Sequence, residues 1–96
     1  MANNQQAHRI DVHLGDVLEV SGVQDLYNEL KAALEGDNSL NVDASCVNRV
    51  DTASLQMLVS LVEYAKRHNR DVSVQSTSEA FAKTAMILGV GAALGM

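Results

Sequence analysis

Short segments with the periodicity of β-strands alternate along this chain with longer segments that have the periodicity of α-helices. Residues 9–14 alternate polar and apolar side chains, as expected of a strand with one buried face. Residues 40–44 form a short segment between turn residues, and residues 72–75 alternate polar and apolar side chains again, so each segment predicts a further strand. A turn signal at residues 15–16 predicts that residues 17–20 return antiparallel to the first strand. This alternation restricts the fold to the α/β class.

Three amphipathic helices are predicted from apolar residues spaced three and four apart. Residues 21–24 and 76–79 each match a capping box and are predicted to start the first and third helices. The second helix is predicted to open at Asp51 or Thr52. The predicted helices end near residues 36, 68 and 88, the last before the stop signal Gly89, and residues 90–96 predict one more short turn.

The predicted order β-β-α-β-α-β-α describes one domain, because 96 residues are too few for two cores. Strands separated by helices favour parallel crossovers, and the early hairpin would add an antiparallel edge. We therefore predict a mixed sheet of four or five strands with helices packed on it, formed by residues 8–96 after a flexible polar N-terminus of residues 1–7. The connection between residues 44 and 50 leaves a strand at its carboxyl end, where α/β sheets usually place their sites.

Charge and composition argue against several classes of function. Twelve acidic and seven basic residues give a net charge of −5, and the basic residues form no stripe, so no nucleic acid ligand is expected. No apolar run approaches the roughly 20 residues that span a bilayer, and the N-terminus lacks signal-peptide features, so no membrane insertion is expected. The one cysteine, Cys46, cannot form an internal disulfide, which favours a reducing compartment and predicts a cytoplasmic location.

The sequence contains no constellation typical of catalysis or metal binding. His8, His13 and His68 are far apart and show no paired ligand spacing, so no metal is expected. Cys46 and the serines lack a nucleophile elbow, and no glycine-rich phosphate loop is present. We therefore expect no enzymatic activity and no cofactor.

The richest polar stretch is residues 43–54, where two aspartates flank hydroxyl side chains at the start of the second helix. A helix N-terminus is receptive to phosphate because of its free N–H groups and its dipole. A phosphate on Thr52 would add about −1.5 to −2 charge beside Asp51 and weaken the docking of an acidic or apolar partner. The simpler alternative is that Asp51 or Thr52 only caps the helix, and periodicity alone favours this alternative.

Residues 43–58 resemble the STAS family, which comprises the anti-sigma-factor antagonists and their relatives. The first part of the family pattern is a strand that ends in Asp-x-Ser, followed by a valine. The second part is a hydrophobic residue, an Asp and a Ser or Thr, which open a helix. In this chain the two parts are Asp43-Ala44-Ser45 and Val50-Asp51-Thr52. Val72-x-Val74 and Ala85-x-x-Leu88-Gly89-Val90 resemble the family's next strand and next helix end. The resemblance spans about residues 8–94.

The resemblance implies a STAS fold, with a four- to five-stranded sheet, helices mainly on one face and no catalytic activity. It also implies that a protein partner, often an anti-sigma factor that is a serine kinase, docks at the start of the second helix and phosphorylates a Ser or Thr there. The docking residues that it implies are Asp51, Thr52, Ala53, Ser54, Gln56 and Met57.

Two positions depart from the family pattern. Ala53 stands where sporulation-type antagonists carry their phosphorylated serine, and Ser54 replaces the usual glycine. Thr52 directly follows the aspartate, as the phosphorylated residue does in stressosome-type members. Thr52 is therefore the first candidate phosphoacceptor, and Ser54 is the second.

The amino-acid sequence of the same segment is similar to those of two bacterial subsets of the family. One is associated with chemotaxis signalling, and it implies a regulatory protein that binds a chemotaxis-type or anti-sigma kinase, with phosphoregulation at Thr52. The other comprises the cytoplasmic accessory subunits of phospholipid-transporting, lipid-asymmetry ABC systems. It implies an alternative in which the domain clamps an ABC ATPase and Thr52 is a contact residue. We predict the regulatory protein and keep the transporter subunit as the alternative.

Overall fold

A computed structural model describes residues 8–36 and 38–96, without the side chains of His8 and Val20. The flexible N-terminus predicted for residues 1–7 and the turn residue Asp37 lie outside the described residues. The elements in chain order are β1 (His8–His13), β2 (Val17–Leu18), α1 (Val20–Glu35), β3 (Asn38–Ala44), β4 (Arg49–Val50), α2 (Thr52–Arg67), β5 (Val72–Thr77) and α3 (Glu79–Leu88).

The strands form two parallel arrangements. β1, β3 and β5 make a three-stranded sheet with β3 in the centre, and Val42 of β3 is in register with Val12 of β1 and Val74 of β5. β2 and β4 make a separate two-stranded pair, in which Leu18 is opposite Val50. Helices connect the parallel strands, as such crossovers require.

The antiparallel hairpin predicted for residues 9–14 and 17–20 is wrong. β1 pairs in parallel with β3, and β2 pairs in parallel with β4. The carbonyl oxygen of Asp16 accepts hydrogen bonds from the backbone N–H groups of Asn48, at 2.7 Å, and Arg49, at 3.2 Å. The turn after β1 therefore directs the chain towards residues 48–50, which the sequence had not marked as a strand.

The two faces of the three-stranded sheet differ in polarity. Leu40, Val42 and Ala44 of β3 are buried on one face, where they join a core to which all three helices contribute. The opposite face is polar: Arg9 donates hydrogen bonds to Asn41, at 3.0 Å, and Asp71, at 2.8 Å. The sheet is thus covered by helices on its apolar face, as the period-2 pattern of its strands requires.

Helices α1 and α3 begin at residues other than the predicted ones. α1 begins at Val20, its N-cap is Glu19, and no side chain caps it, so the capping box predicted at residues 21–24 is wrong. β5 continues to Thr77, which displaces the start of α3, and the hydroxyl of Ser78 accepts the backbone N–H of Phe81 at 3.0 Å. Ser78, rather than Ser76, is therefore the cap of α3.

The C-terminal end of the chain folds back onto the core. Gly89 ends α3 in the left-handed conformation, with φ 72°, and confirms the predicted stop signal. The backbone N–H of Leu94 bonds to the carbonyls of Val90 and Gly91, both at 3.1 Å, which confirms the predicted short turn. Leu94 is fully buried, so this turn anchors the end of the chain in the core.

Candidate docking site at the start of helix α2

Several elements converge at the carboxyl end of the central strand and fix the start of α2. The carbonyl of Ala44, the last residue of β3, accepts the backbone N–H groups of Val47, at 3.3 Å, and Ser78, at 3.0 Å. The backbone N–H of Asp51 donates to Leu18 of β2 at 3.1 Å. Strands β2 and β4 and the loop after β3 therefore together position the start of helix α2.

Asp51 caps α2 and is coupled to Ser54. Its Oδ1 atom accepts the backbone N–H of Ser54 at 2.9 Å and the Ser54 hydroxyl at 2.7 Å. Of the two capping residues that the sequence allowed, the structure selects Asp51, and Thr52 becomes the first residue of the helix. Asp51 supplies the side-chain acceptor that the unpaired N–H groups of a helix start need.

The first turns of α2 present four of the predicted docking residues to solvent. Thr52, Ala53 and Gln56 are exposed and Met57 is partly exposed. Because residues three and four apart share a helix face, these side chains form one continuous patch, which we call the α2 start surface. Its backbone is fixed by the Asp51 cap beneath it.

Ser54 lies on the opposite side of the helix. Its exposed fraction is 0%, and its hydroxyl is bonded to Asp51. A partner cannot contact this side chain, and a kinase cannot reach its hydroxyl, while the helix start is folded. Ser54 therefore does not belong with the predicted contact residues, and it is not an accessible phosphoacceptor.

The loop between β3 and β4 is ordered by the Asp-x-Ser part of the family pattern. Asp43 accepts the backbone N–H of Ser45 at 2.9 Å and lies 3.1 Å from the ring of His13. The hydroxyl and the backbone N–H of Ser45 lower the pKa of the Asp43 carboxyl below its ordinary value, and His13 lowers it further. These bonds stabilise the loop, in which Cys46 is exposed and Val47 is buried.

Two depressions share a border, and one of them reaches Asp51 at the start of α2. One, of about 370 Å³, is lined by Glu19, Ser21, Arg49, Val50 and Asp51. The other is an apolar groove of about 280 Å³ between β2 and the first turns of α1, and Glu19 and Ser21 also line it. These depressions could not be predicted from the sequence, because they depend on the pairing of β2 with β4.

The described residues contain no group of three or more His, Cys, Asp or Glu side chains that could hold a metal ion. His13 is paired with Asp43, whereas the ring of His68 packs 4.4 Å from the ring of Tyr64. Over residues 8–36 and 38–96, no helix is both long enough and apolar enough to cross a membrane.

A family model described as "Mlab, STAS domain" matches residues 1–95. The chain belongs to the STAS domain family. This membership confirms the resemblance found at residues 43–58 and, with the parallel sheet and three helices, the STAS fold. STAS domains are generally non-enzymatic regulatory domains that mediate protein–protein interactions, and the anti-sigma-factor antagonists are among them. No curated protein matches the chain.

Proposed function

We propose that this STAS domain is a non-enzymatic regulatory protein of bacterial signalling that binds an anti-sigma or chemotaxis-type serine kinase in the cytoplasm. The α2 start surface carries the proposal. Thr52, Ala53 and Gln56 are exposed there, and the hydrogen bonds from Ser54 to the capping residue Asp51 stabilise the helix start. A surface that is ordered before binding loses little conformational entropy on binding, which favours affinity. The net charge of −5 argues against a nucleic acid as the partner.

Thr52 is the phosphoacceptor in this proposal. Its side chain is exposed at the first position of α2, one residue after the capping aspartate. A phosphate there would bring about −1.5 to −2 charge to the surface, and the cost of desolvating this charge would weaken the docking of the partner. The same charge is favourable at a helix N-terminus, so phosphorylation would release the partner without unfolding the domain.

A second candidate is the accessory subunit of a phospholipid-transporting ABC system, in which Thr52 would contact the ATPase. It is supported by the resemblance of residues 50–55 to that subset and by the same exposed helix start. The two candidates use one surface and differ in the partner that binds it.

The test is a pair of binding titrations of the purified chain, one against the serine kinase of the proposed signalling system and one against the ABC ATPase of the same cell. The variant Gln56→Arg changes the α2 start surface, and Gln75→Arg is its matched control, because Gln75 is exposed on β5 away from that surface. We expect the kinase to bind the wild type and the control but to bind Gln56→Arg more weakly. Binding of the ATPase alone would establish the second candidate, and binding of neither would refute both.

A further inference from the structure

The depression beside Asp51 borders the apolar groove between β2 and α1, because Glu19 and Ser21 line both. The buried side chains of Leu14, Leu18 and Val23 line the groove together with the half-buried Leu26. Val17 also lines it, and 43% of this side chain is exposed. The groove is therefore an opening that reaches the core of the domain.

The volume and position of the groove indicate what could occupy it. Its volume of about 280 Å³ lies just below the range typical of small-molecule pockets, which begins at roughly 300 Å³. The groove therefore suits an inserted side chain better than a cofactor. Glu19 and Ser21 line both this groove and the depression beside Asp51, so a partner that contacts the cap of α2 would meet the edge of the groove.

The charges around the groove favour a basic group at its edge. Glu19 is exposed at the junction of the two depressions and, as the N-cap of α1, makes no capping hydrogen bond with its side chain. Asp51 lines the second depression, and its Oδ1 atom is bonded to Ser54. The basic side chains that line the two depressions are His13 in the groove and Arg49 beside Asp51. Glu19 is thus the carboxylate placed to meet an incoming cation.

We propose that the groove receives an apolar side chain of the protein partner, of about the size of leucine, flanked by a lysine or arginine that pairs with Glu19. This inference rests on the proposed function and specifies the chemistry of the partner's docking segment. An apolar anchor in a pre-formed pocket supplies most of the affinity at such an interface. The charge pair at its edge supplies specificity and speeds association.

Gly22 provides a direct way to close the groove. It lies in the first turns of α1 and lines the groove, and a Cβ added at this position would meet no atom within 4 Å. Gly22→Phe would therefore add a bulky side chain at the wall of the groove without a clash at its Cβ. Gly22→Ala is the matched control, because it makes the same backbone change and leaves the groove open.

The experiment is an NMR titration of the full chain with short peptides. The probe is acetyl-Arg-Leu-Leu-Arg-amide, and the controls are acetyl-Glu-Leu-Leu-Glu-amide and acetyl-Arg-Ser-Ser-Arg-amide. We expect the first peptide to shift the amide signals of Val17, Gly22, Val23 and Leu26 and to bind about 5-fold more tightly than its glutamate counterpart. Glu19→Gln should remove this preference, Gly22→Phe should abolish binding, and Gly22→Ala should retain it.

Three outcomes would overturn the proposal: equal binding of all three peptides, shifts confined to another surface, and groove shifts that grow with protein concentration in the absence of peptide. The last outcome would identify a second copy of this chain as the occupant. Because the titration uses neither the kinase nor Thr52, its failure would leave the proposed function standing. Failure of the kinase binding experiment would in turn leave the peptide result unchanged.

Discussion

A single carboxylate oxygen of Asp51 accepts two hydrogen bonds from Ser54, one from its backbone N–H at 2.9 Å and one from its hydroxyl at 2.7 Å. The side chain of Ser54 is fully buried, so the hydroxyl has no access to solvent. The helix cap and the satisfaction of a buried polar group therefore depend on the same atom. This pair keeps Ser54 in the fold, while Thr52, Ala53 and Gln56 of the same segment face solvent.

Replacement of Asp51 by alanine should destabilise the domain by about 2 kcal/mol. The lost cap accounts for about 1 kcal/mol, and the buried Ser54 hydroxyl left without its acceptor accounts for about as much again. Urea denaturation followed by circular dichroism measures the change. Glu63→Ala is the control, because Glu63 is exposed on the same helix and its loss should change stability by no more than about 0.5 kcal/mol. A similar stability for Asp51→Ala and Glu63→Ala would contradict the coupling.

A negative charge should be tolerated at Thr52 but not at Ser54. Ser54→Asp would place a carboxylate in a fully buried site beside Asp51, and we expect it to cost roughly 3 kcal/mol or more. Thr52→Asp places the same group on an exposed side chain at the helix N-terminus, where it should be neutral or slightly stabilising. Equal unfolding midpoints in urea for the two variants would refute the burial of Ser54.

The sequence predicted the strands and helices whose pattern is contained in their own residues and the residues next to them. Strands β1 and β5 and the three helices were found from their periodicity, and β3 was found from the turn residues that bound it. The pairing of β2 with β4 could not be predicted, because it depends on contacts between residues more than 30 positions apart, such as the bond from Asp51 to Leu18. The chain does change direction after β1, as the turn signal predicted. The residues of a turn do not, however, determine which strand the following residues pair with.

The same distinction applies to the candidate site. The helix start was predicted at Asp51 or Thr52, with one of these two residues as the cap, because caps are local. The burial of Ser54 was missed, although a signal existed: Ser54 lies four residues before the buried Leu58 and so belongs to the apolar stripe of α2. The part played by Glu19 had no such signal, since Glu19 meets the site only through the β2–β4 pair.

The carboxyl group of Asp43 should titrate below its ordinary pKa of 3.8, mainly because of its hydrogen bonds from Ser45. A depressed folded-state pKa stabilises the fold above the ordinary value, and this contribution is lost as the pH falls through the folded value. Ser45→Ala removes the hydroxyl bond and should therefore raise the pKa of Asp43 and reduce stability at neutral pH, with a smaller difference from wild type below pH 3.8. The carboxyl ¹³C shift measures the titration, with Ser60→Ala as the control. An unchanged Asp43 titration would refute the role of Ser45.

The C-terminal turn should contribute to stability as a part of the core. Leu94→Ala removes a fully buried side chain and should cost about 3 kcal/mol, within the range measured for buried leucines. Met96→Ala is the matched control, because 46% of Met96 is exposed and its loss should cost much less. Denaturant midpoints compare the two variants. If Leu94→Ala is as stable as Met96→Ala, the tail does not pack as described.

Thr52→Glu should separate docking from folding. The added charge lies on an exposed side chain at the first position of α2, where the helix dipole favours it by about 0.3–1 kcal/mol, so the free energy of unfolding should not fall. Affinity for the kinase should nevertheless fall about 10-fold, equivalent to about 1.4 kcal/mol, because binding would have to desolvate the added charge. Gln75→Glu adds the same charge on β5, away from the α2 start surface, and should leave the affinity unchanged. Calorimetric titration measures the affinity of the kinase for the three proteins. Equal affinities for wild type and Thr52→Glu would remove Thr52 from the regulatory mechanism.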